Sequence, residues 1–203
     1  DNNGSDVDSG HVRIYQLNGV DEWEQLGGDI DGQAADEFSG YSVALSSDGQ
    51  TVAIGAPDHS GASTEGSGNV RVYQLSGDAW VQLGADIDGG VGVDLFGYSV
   101  SLSNDGRILA AGADYYGTDS NYGVRLYQLN DDTQSWEPVD LSANGDSVSG
   151  YSVSLSGDGQ TLAVGSPYFG DSGEVRVFGN NVDNNSEPAD PAASHDDYSF
   201  VLD

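Results

Sequence analysis

The chain of 203 residues has no cysteine and no methionine. Without cysteine there is no disulfide framework, no thiolate zinc site and no thiol nucleophile. There is no lysine either, and five arginines face 34 acidic residues, for a formal net charge of −29. A surface of that sign repels nucleic acid and anionic membranes and attracts cations. No apolar run approaches the ~18 residues of a membrane-spanning helix, and no signal-peptide pattern is visible. Beginning at Asp1 rather than Met, the sequence reads as a processed chain or a piece of a longer one. The three histidines, His11, His59 and His195, are scattered through loops and flanks, without zinc-ligand spacing. No Gly-x-Ser-x-Gly elbow stands on a strand-to-helix turn. No catalytic residues are assigned, and the expectation is a protein that is not an enzyme.

What is present is repetition. Gly40-Tyr41-Ser42-Val43-Ala44-Leu45-Ser46-Ser47-Asp48-Gly49 returns as Gly97 to Gly106 and as Gly150 to Gly159. Each copy ends in an Asp-Gly turn, a hairpin signal, and runs into an apolar segment such as Val52-Ala53-Ile54-Gly55. Val70-Arg71-Val72-Tyr73 has counterparts at Val12-Arg13-Ile14-Tyr15, Val124-Arg125-Leu126-Tyr127 and Val175-Arg176-Val177-Phe178. A fourth segment carries Trp23, Trp80 or Trp136. These are four strands, a to d in the order just given, with a period of 51–58 residues and no competing helical period. Four short antiparallel strands per ~50 residues predict the blades of a β-propeller. The order c-d, a-b-c-d, a-b-c-d, a-b-c makes about three all-β blades that begin and end mid-blade. That phase leaves three architectures open: a fragment of a longer propeller, completion by another copy, or an open array. Around the repeat domain of residues 11–178 lie a polar flank at 1–10 and an Asn/Asp/Pro-rich tail at 179–203, with a short strand expected at 198–202.

Asp94-Leu95-Phe96-Gly97-Tyr98-Ser99-Val100, Val52-Ala53-Ile54-Gly55-Ala56-Pro57 and Gly173-Glu174-Val175-Arg176-Val177-Phe178 together resemble the FG-GAP repeat of integrin α-subunit propellers. The resemblance implies an extracellular structural or adhesive module, secreted or at a cell surface. The broken blade phase and the strand expected at 198–202 make further copies of the chain, joined by strand complementation, the expected partners, and the variable b–c loops make another protein or a glycan the alternative. Calcium-binding members of that family carry Asp-x-Asp-x-Asp-Gly in the a–b turn. The turns here keep one Asp, at Asp48, Asp105 and Asp158, too few for a cation that takes six to eight oxygens.

The acidic d–a loops are the better Ca²⁺ candidates, with Asp29, Asp31 and Asp36 in one repeat and Asp86, Asp88 and Asp94 in the next. The alternative is a solvated loop whose Asp side chains order a turn. Four of the five arginines, Arg13, Arg71, Arg125 and Arg176, hold one repeat position and read as structural partners of carboxylates or carbonyls. The repeated Trp and Tyr residues read as packing between blades rather than sugar platforms. Tyr115, Tyr116, Tyr122 and Tyr168 lie in the variable b–c loops, where ligand or partner recognition would sit. Asn3 and Asn184 begin N-glycosylation sequons.

Overall fold

A computed structural model describes residues 8–59, 67–90, 95–113, 123–139, 149–168, 170 and 172–179. Tyr115, Tyr116, Tyr122, Asp94, Asn3, Asn184 and the strand expected at 198–202 lie outside the described residues. The described residues are all-β, a partial β-propeller whose blades follow one another along the chain.

The first unit is half a blade. It comprises β1 (His11–Val12), β2 (Tyr15–Leu17), β3 (Trp23–Gln25) and β4 (Ile30–Asp31), with β1 paired to β4 and β2 to β3. The second unit is complete. Its β5 (Ser42–Leu45), β6 (Thr51–Ala56), β7 (Asn69–Ser76) and β8 (Ala79–Gln82) are laid in that order, and β9 (Ile87–Asp88) adds to β7. The third holds β10 (Phe96–Leu102), β11 (Ile108–Ala113), β12 (Val124–Asn130) and β13 (Ser135–Val139). The last has three strands, β14 (Ser152–Leu155), β15 (Thr161–Ser166) and β16 (Glu174–Gly179). Neighbouring strands within each unit are antiparallel.

The core is a series of seams between successive blades. β6 is buried along its whole length, because its two faces look into different seams. Val52 and Ile54 meet Val12, Ile14 and Ile30 of the half-blade. Ala53, with Val70 and Val72, meets Phe96, Val100, Leu109 and Ala111 of the third blade. A strand covered on both faces carries a continuous apolar run rather than an alternating one, which is why Val-Ala-Ile-Gly-Ala stands here. A third seam joins Ile108, Ala110 and Leu126 to Leu155, Leu162 and Val164.

The innermost strands approach at backbone distance. A Cβ added at Gly55 would lie 2.0 Å from the Gly97 carbonyl oxygen, and one at Gly112 would lie 2.1 Å from that of Gly150. The same carbonyls accept hydrogen bonds from Ser42 and Ser99, each at 2.7 Å. The a–b turns are joined too, Ser47 N to Asn104 O at 2.9 Å and Asn104 N to Gly157 O at 2.8 Å. On the outer side, the Trp80 indole N–H donates to the Leu26 carbonyl at 2.8 Å, and that of Trp136 to Leu83 at 3.0 Å. The third blade is therefore fastened to its predecessor at its inner strand, its a–b turn and its d strand, the last blade by the first two of these and the complete blade by the third.

Candidate functional site

The c strand and the loop after the d strand fix the placement of charge. In the half-blade, Arg13 Nε and Nη2 both donate to Asp29 Oδ2, at 2.9 and 2.7 Å, while Gln25 Nε2 donates to Oδ1 at 2.7 Å. The complete blade repeats the figure: Arg71 Nε reaches Asp86 Oδ2 at 2.9 Å and Gln82 Nε2 reaches Oδ1 at 2.7 Å. The Arg13 hydrogen bond first, then that of Gln25, holds the Asp29 carboxyl at about 2. Burial alone would push Asp86 up, but hydrogen bonds from Gln82 and Arg71 outweigh it and hold the group below the usual carboxylate range. The first Asp of each Asp-x-Asp pair is thus an arginine partner. The other two arginines of the series have these contacts among the described residues: Arg125 lies 4.7 Å over the centre of the Phe96 ring, and Arg176 pairs with Glu174.

The seam between half-blade and complete blade gathers more. Glu37 is buried, and its Oε1 accepts from the Gln33 N–H at 2.5 Å and from Arg71 Nη1 at 3.0 Å. Its Oε2 lies 2.8 Å from His59 Nδ1. Arg71, itself buried, thereby bridges Glu37 of one repeat and Asp86 of the next. Burial acts to lower the Arg71 pKa, but the carboxylates of Glu37 and Asp86 outweigh it and hold the guanidinium above its ordinary value. Nearby, the ligand atoms of His59, Asp86 and Asp88 lie within 4.8 Å of one another. Asn69 is fully buried beside them, and its Nδ2 donates to Asp86 Oδ2 at 3.3 Å.

Of the residues expected to hold a cation, Asp86 and Asp88 come together, and His59 joins them. Asp29, Asp31 and Asp36 do not converge: among the described residues they form no group of three ligand atoms. Asp29 is taken by Arg13 and Gln25, and Asp36 is exposed on a backbone with φ of 60°. The turn carboxylates serve the hairpins. Asp48 Oδ1 accepts from Ser46 Oγ at 2.6 Å and from the Gln50 N–H at 2.9 Å, an arrangement repeated at Asp105 and Asp158.

Glu37 and Asn69 escape a sequence reading, as does the part played by His59. The parallel bridges Gly10 to Ser39 and Gly68 to Phe96 equate Ser39 with Phe96, so Glu37, not Asp36, is the counterpart of Asp94. The repeat spacing carries the same match, since Glu37 and Asp94 each stand three residues before the Gly of Gly-Tyr-Ser. A tyrosine ladder is also missed, although its signal was the Tyr of every Gly-Tyr-Ser. Tyr41 and Tyr98 rings are 4.9 Å apart, Tyr98 and Tyr151 5.1 Å, and Tyr151 and Tyr168 5.7 Å. Hydrogen bonds to Tyr151 and Tyr41 raise the Tyr98 hydroxyl well above its ordinary value. Tyr168 caps this ladder.

Comparisons with known proteins define the class by fold. A crystal structure of a candidate 6-phosphogluconolactonase from Bacteroides uniformis superposes with a TM-score of 0.60 at 15% identity, covering 86% of this chain and 45% of that one. A second such candidate, from Bacteroides fragilis, gives 0.51 at 13% identity over 76% of this chain and 41% of the other. The chain spans less than half the length of either, and at these identities the likeness shows a β-propeller-like fold. No family profile matches the chain, and no curated protein does. One expectation is corrected. The chain was read as not an enzyme, yet the structures sharing its fold bear the name of a lactonase, so a non-enzymatic character does not stand.

Proposed function

We propose that the chain is an extracellular structural or adhesive module of FG-GAP-type blades, which joins head to tail with further copies of itself. The observation that carries this is the state of the two terminal faces. Tyr15 and Trp23 hold the positions of Tyr73 and Trp80, which pack on the preceding blade, yet Trp23 is 69% exposed. Val43 and Leu45 of β5 are exposed, whereas their counterparts Val100 and Leu102 are buried. At the other end Val175 and Val177 are exposed, where Val70 and Val72 are buried against the third blade. Each end is one half of a seam whose whole form stands inside the molecule. Two different surfaces meeting head to tail give rings or filaments. The charge of −29 per copy opposes association until salt screens it, to ~8 Å at physiological strength.

Light scattering on a size-exclusion column at low and high salt tests the reading. Oligomers that grow with salt and are abolished by Trp23→Asp are expected. A monomer at every concentration and salt would overturn it.

The tyrosine ladder favours a second reading, in which the module binds a glycan or a protein beside its b–c loops. Aromatic rings with hydroxyl edges suit sugar faces. Under this reading Tyr98→Ala abolishes hits on a glycan array, and an array without hits for the native chain counts against it.

A further inference from the structure

The seam between half-blade and complete blade joins groups from separate segments: His59 after β6, Asn69 opening β7, and Asp86 and Asp88 at β9. Two features separate it from ordinary acid on an acidic surface. One is how His59 is held. Its Nδ1 faces Glu37 Oε2 at 2.8 Å, and the Glu37 side chain has no exposure at all. With Nδ1–H donating to that carboxylate, the neutral imidazole offers its Nε2 lone pair as the ligand atom. Metal-bound imidazoles use such carboxylates to fix tautomer and ring orientation. Arg71 and the Gln33 N–H grip the same carboxylate on its other oxygen, so Glu37 is itself fixed.

The other feature is Asn69. Its side chain is fully buried and turned to Asp86, and Oδ1 has no hydrogen-bond partner. A bare carbonyl oxygen in that position lacks an electropositive partner. The local charge agrees: Glu37 and Asp86 share the Arg71 guanidinium, and Asp88 is a third acidic group beside them.

We propose that His59, Asp86 and Asp88 bind one divalent transition-metal ion, and that the Asn69 amide turns over to bring Oδ1 in as a further oxygen donor. An imidazole among oxygens suits a zinc-like ion better than Ca²⁺, which takes six to eight oxygens. The ligand atoms span up to 4.8 Å, whereas zinc bonds of ~2.1 Å set tetrahedral ligands about 3.4 Å apart. Asp88 is exposed and free to close that difference. Asp86 serves despite its hydrogen bonds, because each carboxylate oxygen offers two lone pairs. The half-blade is an internal control. There the pair His11 and Asp31 stands in the register of Asn69 and Asp88, but no group of three ligand atoms forms among the described residues.

Calorimetric titration of the full chain with Zn²⁺, at ~0.15 M salt to screen exposed charge and with excess Ca²⁺ present, tests the site. One saturable site is expected, weakened at least ~10-fold by Asp88→Asn and by His59→Gln and unchanged by Asp31→Asn. Glu37→Gln is expected to weaken it ~10–100-fold. Because Glu37→Gln removes a buried charge, the exposed Asp88 carries the decision if that variant unfolds. A shift of the His59 Nε2 resonance on adding Zn²⁺ identifies the ligand directly. Absence of a saturable site, or a site indifferent to both Asp88→Asn and His59→Gln, overturns the proposal.

Discussion

The half-blade and the complete blade behind it carry closely similar c and d strand sequences and behave differently. In the complete blade the c strand is one run, Asn69–Ser76, paired along one edge with β6. In the half-blade it breaks into His11–Val12 and Tyr15–Leu17, where among the described residues no b strand supplies a ladder on that edge. Tyr73 is 9% exposed and Tyr15 49%. The Arg71 side chain is 3% exposed and Arg13 34%. The hydrogen bonds to the following Asp are nevertheless alike in the two. The Arg-Asp-Gln figure is local to c strand, d strand and loop, whereas burial and strand continuity are gifts of the neighbours.

Substitutions at matched positions break or sharpen this contrast. The largest difference is expected between Tyr73→Ala and Tyr15→Ala. Emptying the buried site costs roughly 3–5 kcal/mol, while the exposed one stays near ~0.5 kcal/mol. Chemical denaturation of both variants measures the gap, and equal losses would mean that the half-blade is packed as tightly as the complete one. Next comes arginine. Arg71→Lys gives up the fork between Glu37 and Asp86, about 1.5–3 kcal/mol for hydrogen bonds to charged groups, whereas Arg13→Lys leaves the melting temperature unchanged. Trp80→Phe removes one indole N–H donation to Leu26 and costs about 0.5–1.5 kcal/mol. Trp23→Phe changes nothing in the monomer.

The smallest effect is on pH. Asp29 and Asp86 have folded pKa values below their unfolded ones. Their stabilisation is therefore complete above the unfolded value of ~3.9 and is lost as pH falls through the folded value. For Asp29 the window closes at about 2. Asp86→Asn should flatten the acid limb of the stability profile measured between these limits, while Asp31→Asn leaves its slope intact.

The blade phase and the a–b hairpins were legible in the sequence because they depend on local pattern. Ser-x-Asp-Gly closes its own turn, and Val-Ala-Ile-Gly announces a strand covered on both faces. The place of Glu37 was legible from its spacing to Gly40, but its burial was not, since His59 and Arg71 reach it from other segments. His59 was not, because it stands in a loop without a counterpart. The tyrosine ladder was written in three identical positions, but only the stacking of neighbouring inner strands turns them into one feature. Asp29 and Asp86 read as metal ligands, whereas their first partners are arginine and glutamine, residues lying up to 16 positions away.

The contact of Gly55 with Gly97, repeated at Gly112 and Gly150, bears on how such chains grow. The approach of one blade to the next is set there by main chain against main chain, with only the Ser42 and Ser99 hydroxyls beside it. A duplicated repeat would inherit its pitch intact, whatever mutations its loops went on to collect. Lengthening by copying then needs no re-tuning of the junction, while drift at either glycine is closed off.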